Sequence, residues 1–189
     1  MKKMLFKKIK FDYDLNTFLS GDFTQHYGSC ISYQKREQTD IHETIGDGSL
    51  PESYHEDNTR IQQIWWEPSD IDYETIGEQL DIDVKTISAI LQPPGNTVTL
   101  HRDTFFKFKT LYPDDDRLKV RANIFLEDWK VGHFLQYEDG NGEWINCTHW
   151  KAGDGLLWDS TPRHLSCNAG LHDKYTLQVS GFWNGKSNW

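Results

Sequence analysis

Residues 118–126 read Leu-Lys-Val-Arg-Ala-Asn-Ile-Phe-Leu, with an apolar residue at every second position from Leu118 to Leu126. This alternation is typical of a β-strand that places one face against a core. Similar segments surround it, which gives about eight strands in roughly a hundred residues. The other candidates are residues 87–91, 98–103, 132–137, 143–149, 155–159, 163–167 and 174–183. Short turns such as Asp139-Gly140-Asn141-Gly142 join them, so the pattern predicts a mainly β protein: a sandwich, jelly roll or barrel.

The N-terminal part of the chain has weaker patterns. Residues 13–20 and 70–80 predict helices, and Asp70 or Asp72 can cap the start of the second one. Residues 34–60 are rich in polar residues and predict a long surface loop, which could be a lid or a disordered excursion. We expect one domain of 189 residues, with a cap region over about 1–80 and a β core over about 82–183.

Composition and charge exclude several classes of function. The formal net charge of −9 disfavours nucleic-acid binding, and the only basic cluster is a group of N-terminal lysines that we expect to be solvated. No apolar run approaches the ~18 residues that a membrane span needs, and lysines interrupt any signal-peptide core. The three cysteines have no CxxC spacing and indicate reduced thiols. We therefore expect a cytoplasmic protein that binds neither nucleic acid nor membrane.

A candidate metal site follows from the segment Pro-Gly-Asn-Thr-Val-Thr-Leu-His-Arg-Asp, residues 94–103. Residues i and i+2 of a strand share a face, so His101 and Asp103 project together. A second histidine would complete a facial triad that leaves three metal positions open, an arrangement suited to Fe(II) that activates O₂. The best candidate is His164, which opens a strand after a turn. The alternatives are a hydrogen-bonded His101–Asp103 pair and a turn histidine held by Asp159.

Two basic residues are candidates for binding an anion. Lys174 and Thr176 share a face of their strand, and a lysine inside a barrel needs an anion such as the distal carboxylate of 2-oxoglutarate. On an outward face, Lys174 would be a solvated charge. Arg121 and Asn123 lie opposite the apolar residues of their strand. Both could line the pocket and bind a carboxylate of a co-substrate or a substrate, since arginine binds carboxylates with two hydrogen bonds. An ion pair between Arg121 and the acidic residues 114–116 is the alternative.

In its order of HxD, distal histidine and a basic residue ten positions later, the chain resembles the Fe(II)/2-oxoglutarate dioxygenase superfamily over about residues 82–183. The resemblance implies a double-stranded β-helix, a jelly-roll or cupin-like fold with flanking helices. It also implies that iron binds to His101, Asp103 and His164, and that Lys174 and Thr176 bind 2-oxoglutarate. The expected reaction uses O₂ to hydroxylate an unactivated C–H bond and releases succinate and CO₂.

The sequence around the motif is similar to hydroxylases of amino-acid side chains, near the aspartyl/asparaginyl or prolyl hydroxylase-like branches. Asp103 departs from the aspartyl/asparaginyl pattern, which commonly lacks the carboxylate ligand. The nucleic-acid demethylating branch fits poorly because no arginine follows Arg163. The expected substrate is thus a small molecule or a peptidyl side chain. A cupin-like barrel that binds a metal or a ligand without 2-oxoglutarate-dependent activity is the alternative function.

Overall fold

The computed structural model describes residues 6–24, 27–29 and 53–185. Most of the predicted loop of residues 34–60 lies outside the described residues. The described elements, in chain order, are β1 (Phe6–Lys10), α1 (Asn16–Leu19), β2 (Tyr27–Ser29), β3 (Arg60–Trp66), α2 (Tyr73–Leu80), β4 (Ile82–Gln92), β5 (Thr97–His101), α3 (Phe106–Leu111), β6 (Lys119–Phe125), β7 (His133–Glu138), β8 (Trp144–Cys147), β9 (Asp154–Trp158), β10 (His164–Asn168) and β11 (Lys174–Trp183).

The strands form two antiparallel sheets that face each other. The large sheet has the order β1-β9-β6-β11-β4-β3-β2, and the small sheet has the order β5-β10-β7-β8. Side chains from both sheets meet in a shared apolar cluster that includes Phe125 and Trp158 from the large sheet and Leu135 and Tyr137 from the small one. The predicted mainly β, jelly-roll architecture is therefore confirmed.

The main apolar core lies on the other face of the large sheet. Ile87, Ile124 and Leu177 are fully buried there against helices α1 and α2. Helix α2 begins where the sequence predicts, because the Asp72 side chain accepts a hydrogen bond from the Thr75 backbone N–H at 3.0 Å. The large sheet is thus covered on both faces, by helices outside and by the small sheet inside.

The structure confirms the eight predicted strands between residues 82 and 183, and β11 has the predicted bounds. Three further strands from the N-terminal region, β1, β2 and β3, were not predicted, and they extend both edges of the large sheet. The N-terminal region therefore completes this sheet in addition to covering it. Among the described helices the longest has 8 residues, and none is long and apolar enough to cross a membrane.

Candidate metal centre

The pairing of β5 with β10 brings the three predicted metal ligands together. His164 lies directly opposite His101 in the strand register, and their ring centroids are 4.2 Å apart. Asp103 follows two residues after His101, just beyond the end of β5. Potential ligand atoms of these three residues all lie within 4.8 Å of one another. The arrangement has the donor types and the compactness that a divalent metal ion requires.

Backbone carbonyl groups orient both imidazole rings. His101 Nδ1 lies 2.7 Å from the Thr99 carbonyl oxygen, and His164 Nδ1 lies 3.2 Å from that of Pro162. These contacts assign the proton to Nδ1 in each ring and leave the Nε2 lone pair for a metal. His164 Nε2 accordingly faces Asp103 Oδ2, at 3.9 Å. Burial lowers the pKa of His164 to about 3, so the ring is neutral, as a metal ligand must be.

Two donors hold the buried Asp103 carboxylate. The Trp158 indole N–H donates to Oδ2 at 2.9 Å, and the Arg121 guanidinium donates to Oδ1. Burial alone would raise the pKa of Asp103, but the charge of Arg121 and the neighbouring imidazoles hold it at about 2. Asp103 is therefore an anion at neutral pH. The alternative in which Arg121 pairs with residues 114–116 is wrong.

Trp158 illustrates what sequence reasoning missed. Trp158 belongs to the apolar cluster between the sheets and also lies beside the candidate metal site. Trp158 is 1% exposed, and its ring centroid lies 4.5 Å from that of His164. Its hydrogen bond to Asp103 depends on the register that places Trp158 beside Arg121 on the neighbouring strand. No pattern within either segment predicts that contact.

Lys174 points between the sheets and is only 2% exposed, so the solvated alternative is wrong. Its Nζ donates to the Phe134 carbonyl oxygen at 2.7 Å and to the Ser166 hydroxyl. Its partners among the described residues include no carboxylate. Burial lowers the pKa of Lys174 to about 7. Thr176 is half-buried and next on the same face of β11.

An amide pair, Asn123 and Gln178, lies on the same inner face of the large sheet. The two residues are directly opposite in the register of β6 and β11, and Gln178 Nε2 donates to Asn123 Oδ1 at 3.1 Å. Asn123 is only 6% exposed. Within the described part of the chain, its Nδ2 atom is buried and has no hydrogen-bond partner. Such a group calls for an explanation, because buried polar atoms are normally satisfied.

Among the other histidines that the structure describes, none joins the cluster. His133 is buried, with its Nε2 2.9 Å from the His172 carbonyl oxygen, and His149 stacks on Trp129. His172 and His55 are exposed. His26 and His42 lie outside the described residues.

The chain resembles known proteins in its structure rather than in its sequence. No protein-family model and no curated protein sequence matches the chain. Among solved structures, AviO1 from Streptomyces viridochromogenes is 12% identical with a TM-score of 0.56, covering 100% of this chain and 93% of its own. A Pseudomonas putida prolyl-4-hydroxylase is 16% identical with a TM-score of 0.53, covering 94% and 92%. The α-ketoglutarate-dependent carbocyclase SnoK of nogalamycin biosynthesis is 11% identical with a TM-score of 0.55, covering 98% and 85%.

These similarities extend over nearly the whole chain. The protein therefore has the fold of the 2-oxoglutarate-dependent oxygenases. At such low identity the comparison concerns the fold alone, and it says nothing about a shared substrate. On this fold the structure places a candidate His-Asp-His metal site.

Proposed function

We propose that the protein is an Fe(II)- and 2-oxoglutarate-dependent oxygenase that hydroxylates an unactivated C–H bond. The observation that carries the proposal is Lys174, a buried lysine beside the candidate metal site that has no carboxylate partner among the described residues. Lys174 contacts Ser166, which lies on the same face of β10 as His164, two residues further on. Two residues of a strand span about 6.8 Å. A five-carbon dicarboxylate has terminal carbons about 5 Å apart, given C–C bonds of ~1.5 Å, so it fits between the metal site and Lys174.

The donor set suits iron. Two neutral imidazoles and one carboxylate are the ligands typical of non-haem Fe(II) oxygenases, and they leave positions open for a chelating co-substrate and O₂. Iron would supply the activation of O₂ that couples oxidation of 2-oxoglutarate, to succinate and CO₂, to hydroxylation of the substrate. His101, Asp103 and His164 would hold the metal.

The surrounding residues would maintain this site. Trp158 and Arg121 keep Asp103 ionised and fixed by donating to both of its oxygens. Lys174 and Thr176 would bind the distal carboxylate, and the sheets around them keep water away from it. Arg121 lies beside Asp103, and its side chain is 26% exposed. Its remaining N–H groups would therefore meet a carboxylate of the co-substrate or the substrate at the metal.

The prime substrate is proposed to be a small molecule or a peptidyl amino-acid side chain. Hydrogen abstraction from an unactivated C–H bond needs a substrate held close to the metal, and Arg121 is the charged group best placed for that. A metal-binding barrel without 2-oxoglutarate-dependent activity would have the same ligand cluster. Such a barrel does not account for the burial of Lys174, because a buried cation without an anion, as described for this lysine, destabilises the fold.

Anaerobic titration tests the proposal. Fe(II) and 2-oxoglutarate together should give the weak visible charge-transfer band of a chelated co-substrate, and O₂ should then release succinate. Asp103→Ala should abolish metal binding, whereas Lys174→Ala should retain the metal and lose 2-oxoglutarate. His149→Ala, which removes a histidine outside the cluster, is the matched control and should behave as wild type. A persistent band and succinate release in the Asp103→Ala protein would remove Asp103 from the site.

A further inference from the structure

The side chains on the inner face of β6 form a path from the metal site to Lys174. At one end, Arg121 contacts Asp103. At the other end, Phe125 stacks on Trp150 with ring centroids 3.9 Å apart, and the Trp150 ring lies 5.7 Å from Lys174 Nζ. Asn123 is midway between Arg121 and Phe125 on the same face, since residues i and i+2 of a strand point to one side. Asn123 therefore borders the space between the metal site and Lys174.

Only the oxygen of the Asn123 side-chain amide has a hydrogen-bond partner among the described residues. Its Oδ1 accepts from Gln178 Nε2 at 3.1 Å, so the position of the amide is fixed by the neighbouring strand. Its Nδ2 is buried without a partner among the residues that the structure describes. Turning the Asn123 amide over alone would place two N–H groups against each other and lose the bond to Gln178. With Gln178 as the donor of that bond, the register of β6 and β11 leaves Asn123 Nδ2 as the unsatisfied group.

We infer that Asn123 is a further binding residue for the co-substrate and that its Nδ2 donates to a carboxylate oxygen of the bound dicarboxylate. This inference rests on the proposed function. A carboxylate accepts several hydrogen bonds, and bonds to charged acceptors are stronger than those between neutral groups. Asn123 supplies a donor without adding another positive charge beside Arg121 and Lys174. The ligand in turn satisfies the donor that Gln178 leaves unpaired.

Binding of 2-oxoglutarate to the full chain loaded with Mn(II), which replaces iron without supporting turnover, tests the role of Asn123. Calorimetry should show binding to the wild type. Asn123→Ala should weaken that binding about 10- to 100-fold, which is the loss of one hydrogen bond to a charged group. Asn123→Asp should weaken it further, because a carboxylate would then face a carboxylate. Both variants should retain Mn(II) affinity, since Asn123 does not touch the ligand cluster.

Ser88 offers a matched control. It lies on the other side of Gln178 in the register, is 2% exposed, and accepts a hydrogen bond from Gln63 Nε2 at 3.1 Å. Ser88→Ala removes a buried polar group from the same sheet face and should change 2-oxoglutarate affinity by less than about twofold, because its oxygen already has a protein partner.

The outcomes separate the two proposals. If wild type binds 2-oxoglutarate and both Asn123→Ala and Asn123→Asp bind it equally well, the role of Asn123 is wrong and the proposed function stands. If wild type loaded with metal binds no 2-oxoglutarate, the proposed function fails and the inference fails with it. Should the alanine variant not fold, Asn123→Ser keeps a donor in a smaller side chain. The serine variant should bind with an affinity between those of wild type and Asn123→Asp, and wild-type affinity in both Asn123→Ser and Asn123→Asp would overturn the inference.

Discussion

Raising the pH from 6 to 9 should release 2-oxoglutarate from the metal-loaded protein by discharging Lys174. Burial lowers the pKa of this lysine to about 7 in the protein without ligand. A lysine is cationic below its pKa and neutral above it. The dicarboxylate needs the cationic form, so binding above pH 7 requires Lys174 to take up a proton, and the affinity should fall as the pH rises.

The magnitude follows from the fraction of protein in which Lys174 is charged. At pH 6 about nine tenths of the molecules carry the charge, and at pH 9 about one in a hundred does, for a pKa of about 7. The apparent affinity for 2-oxoglutarate should therefore drop about 100-fold over this range. Well above pH 7, each pH unit should lower it about tenfold, or ~1.4 kcal/mol. Below pH 6 the affinity should level off with respect to Lys174.

Calorimetry in two buffers of different ionisation enthalpy measures the predicted proton uptake directly. At pH 8 the wild type should take up about 0.9 proton per 2-oxoglutarate bound, which is the neutral fraction of Lys174 at that pH. Lys174→Arg is the control, because a guanidinium stays charged throughout the range and should remove both the uptake and the slope. An affinity that does not change between pH 6 and pH 9 in the wild type, or a slope that survives in Lys174→Arg, would refute the role of Lys174.

Two further changes test the surroundings of the site. Trp158→Phe keeps a buried ring but removes the N–H that donates to Asp103. Metal affinity, measured by competition with a chelator, should therefore fall about 10- to 100-fold. An unchanged metal affinity would show that this hydrogen bond does not position Asp103. Lys174→Met replaces a buried lysine that has no anionic partner among the residues described. Urea unfolding at pH 7 without ligand should therefore show a free energy of unfolding that is higher by on the order of 1–4 kcal/mol. A less stable Met variant would mean that the contacts of Nζ with Phe134 and Ser166 outweigh the desolvation of the charge.

The pKa of Lys174 also determines the direction in which native stability changes with pH. Lys174 has a folded-state pKa of about 7, below its ordinary value of 10.5. Between those values the unfolded chain binds the proton more tightly, so native stability falls as the pH is lowered from about 10.5 towards 7. Below pH 7 the full penalty is present. Bound dicarboxylate should offset it, and ligand stabilisation should therefore be larger at pH 6 than at pH 9.

Local patterns predicted most of the fold. The period-2 alternation of β6 and β11 reflects apolar residues such as Ile124 and Leu177 packing on helices, and that signal lies within each segment. The start of α2 was predictable because Asp72 is itself the capping residue. Strand β3 was not predictable. Its buried Gln63 is satisfied by Ser88 of the next strand, so a polar residue occupies a buried position for reasons that its own segment does not contain.

The candidate site was predictable to the extent that it depends on one strand. The i, i+2 relation places His101 near Asp103. His164 was a candidate because it opens a strand after a turn, and the order of motifs supported it, but no local pattern places it opposite His101. Contacts across strands could not be read from the sequence. Asn123 and Gln178 are 55 residues apart, and they meet because of the register between β6 and β11. The N–H of Trp158 reaches Asp103 across the two sheets, again 55 residues away.

The inner faces of β6 and β11 hold the buried polar residues on which the proposed function depends. A sheet covered on both faces is expected to be apolar on both, because burying polar groups is unfavourable. The outer face of β6 and β11 follows that rule with Ile124 and Leu177, whereas the inner face carries Asn123 and Lys174, both nearly inaccessible to solvent. Within the part of the chain that the structure describes, Asn123 Nδ2 lacks a hydrogen-bond acceptor and Lys174 lacks an anion. A single dicarboxylate bound between them and the His-Asp-His cluster would satisfy both, which is why the same ligand explains two otherwise unrelated defects in the packing.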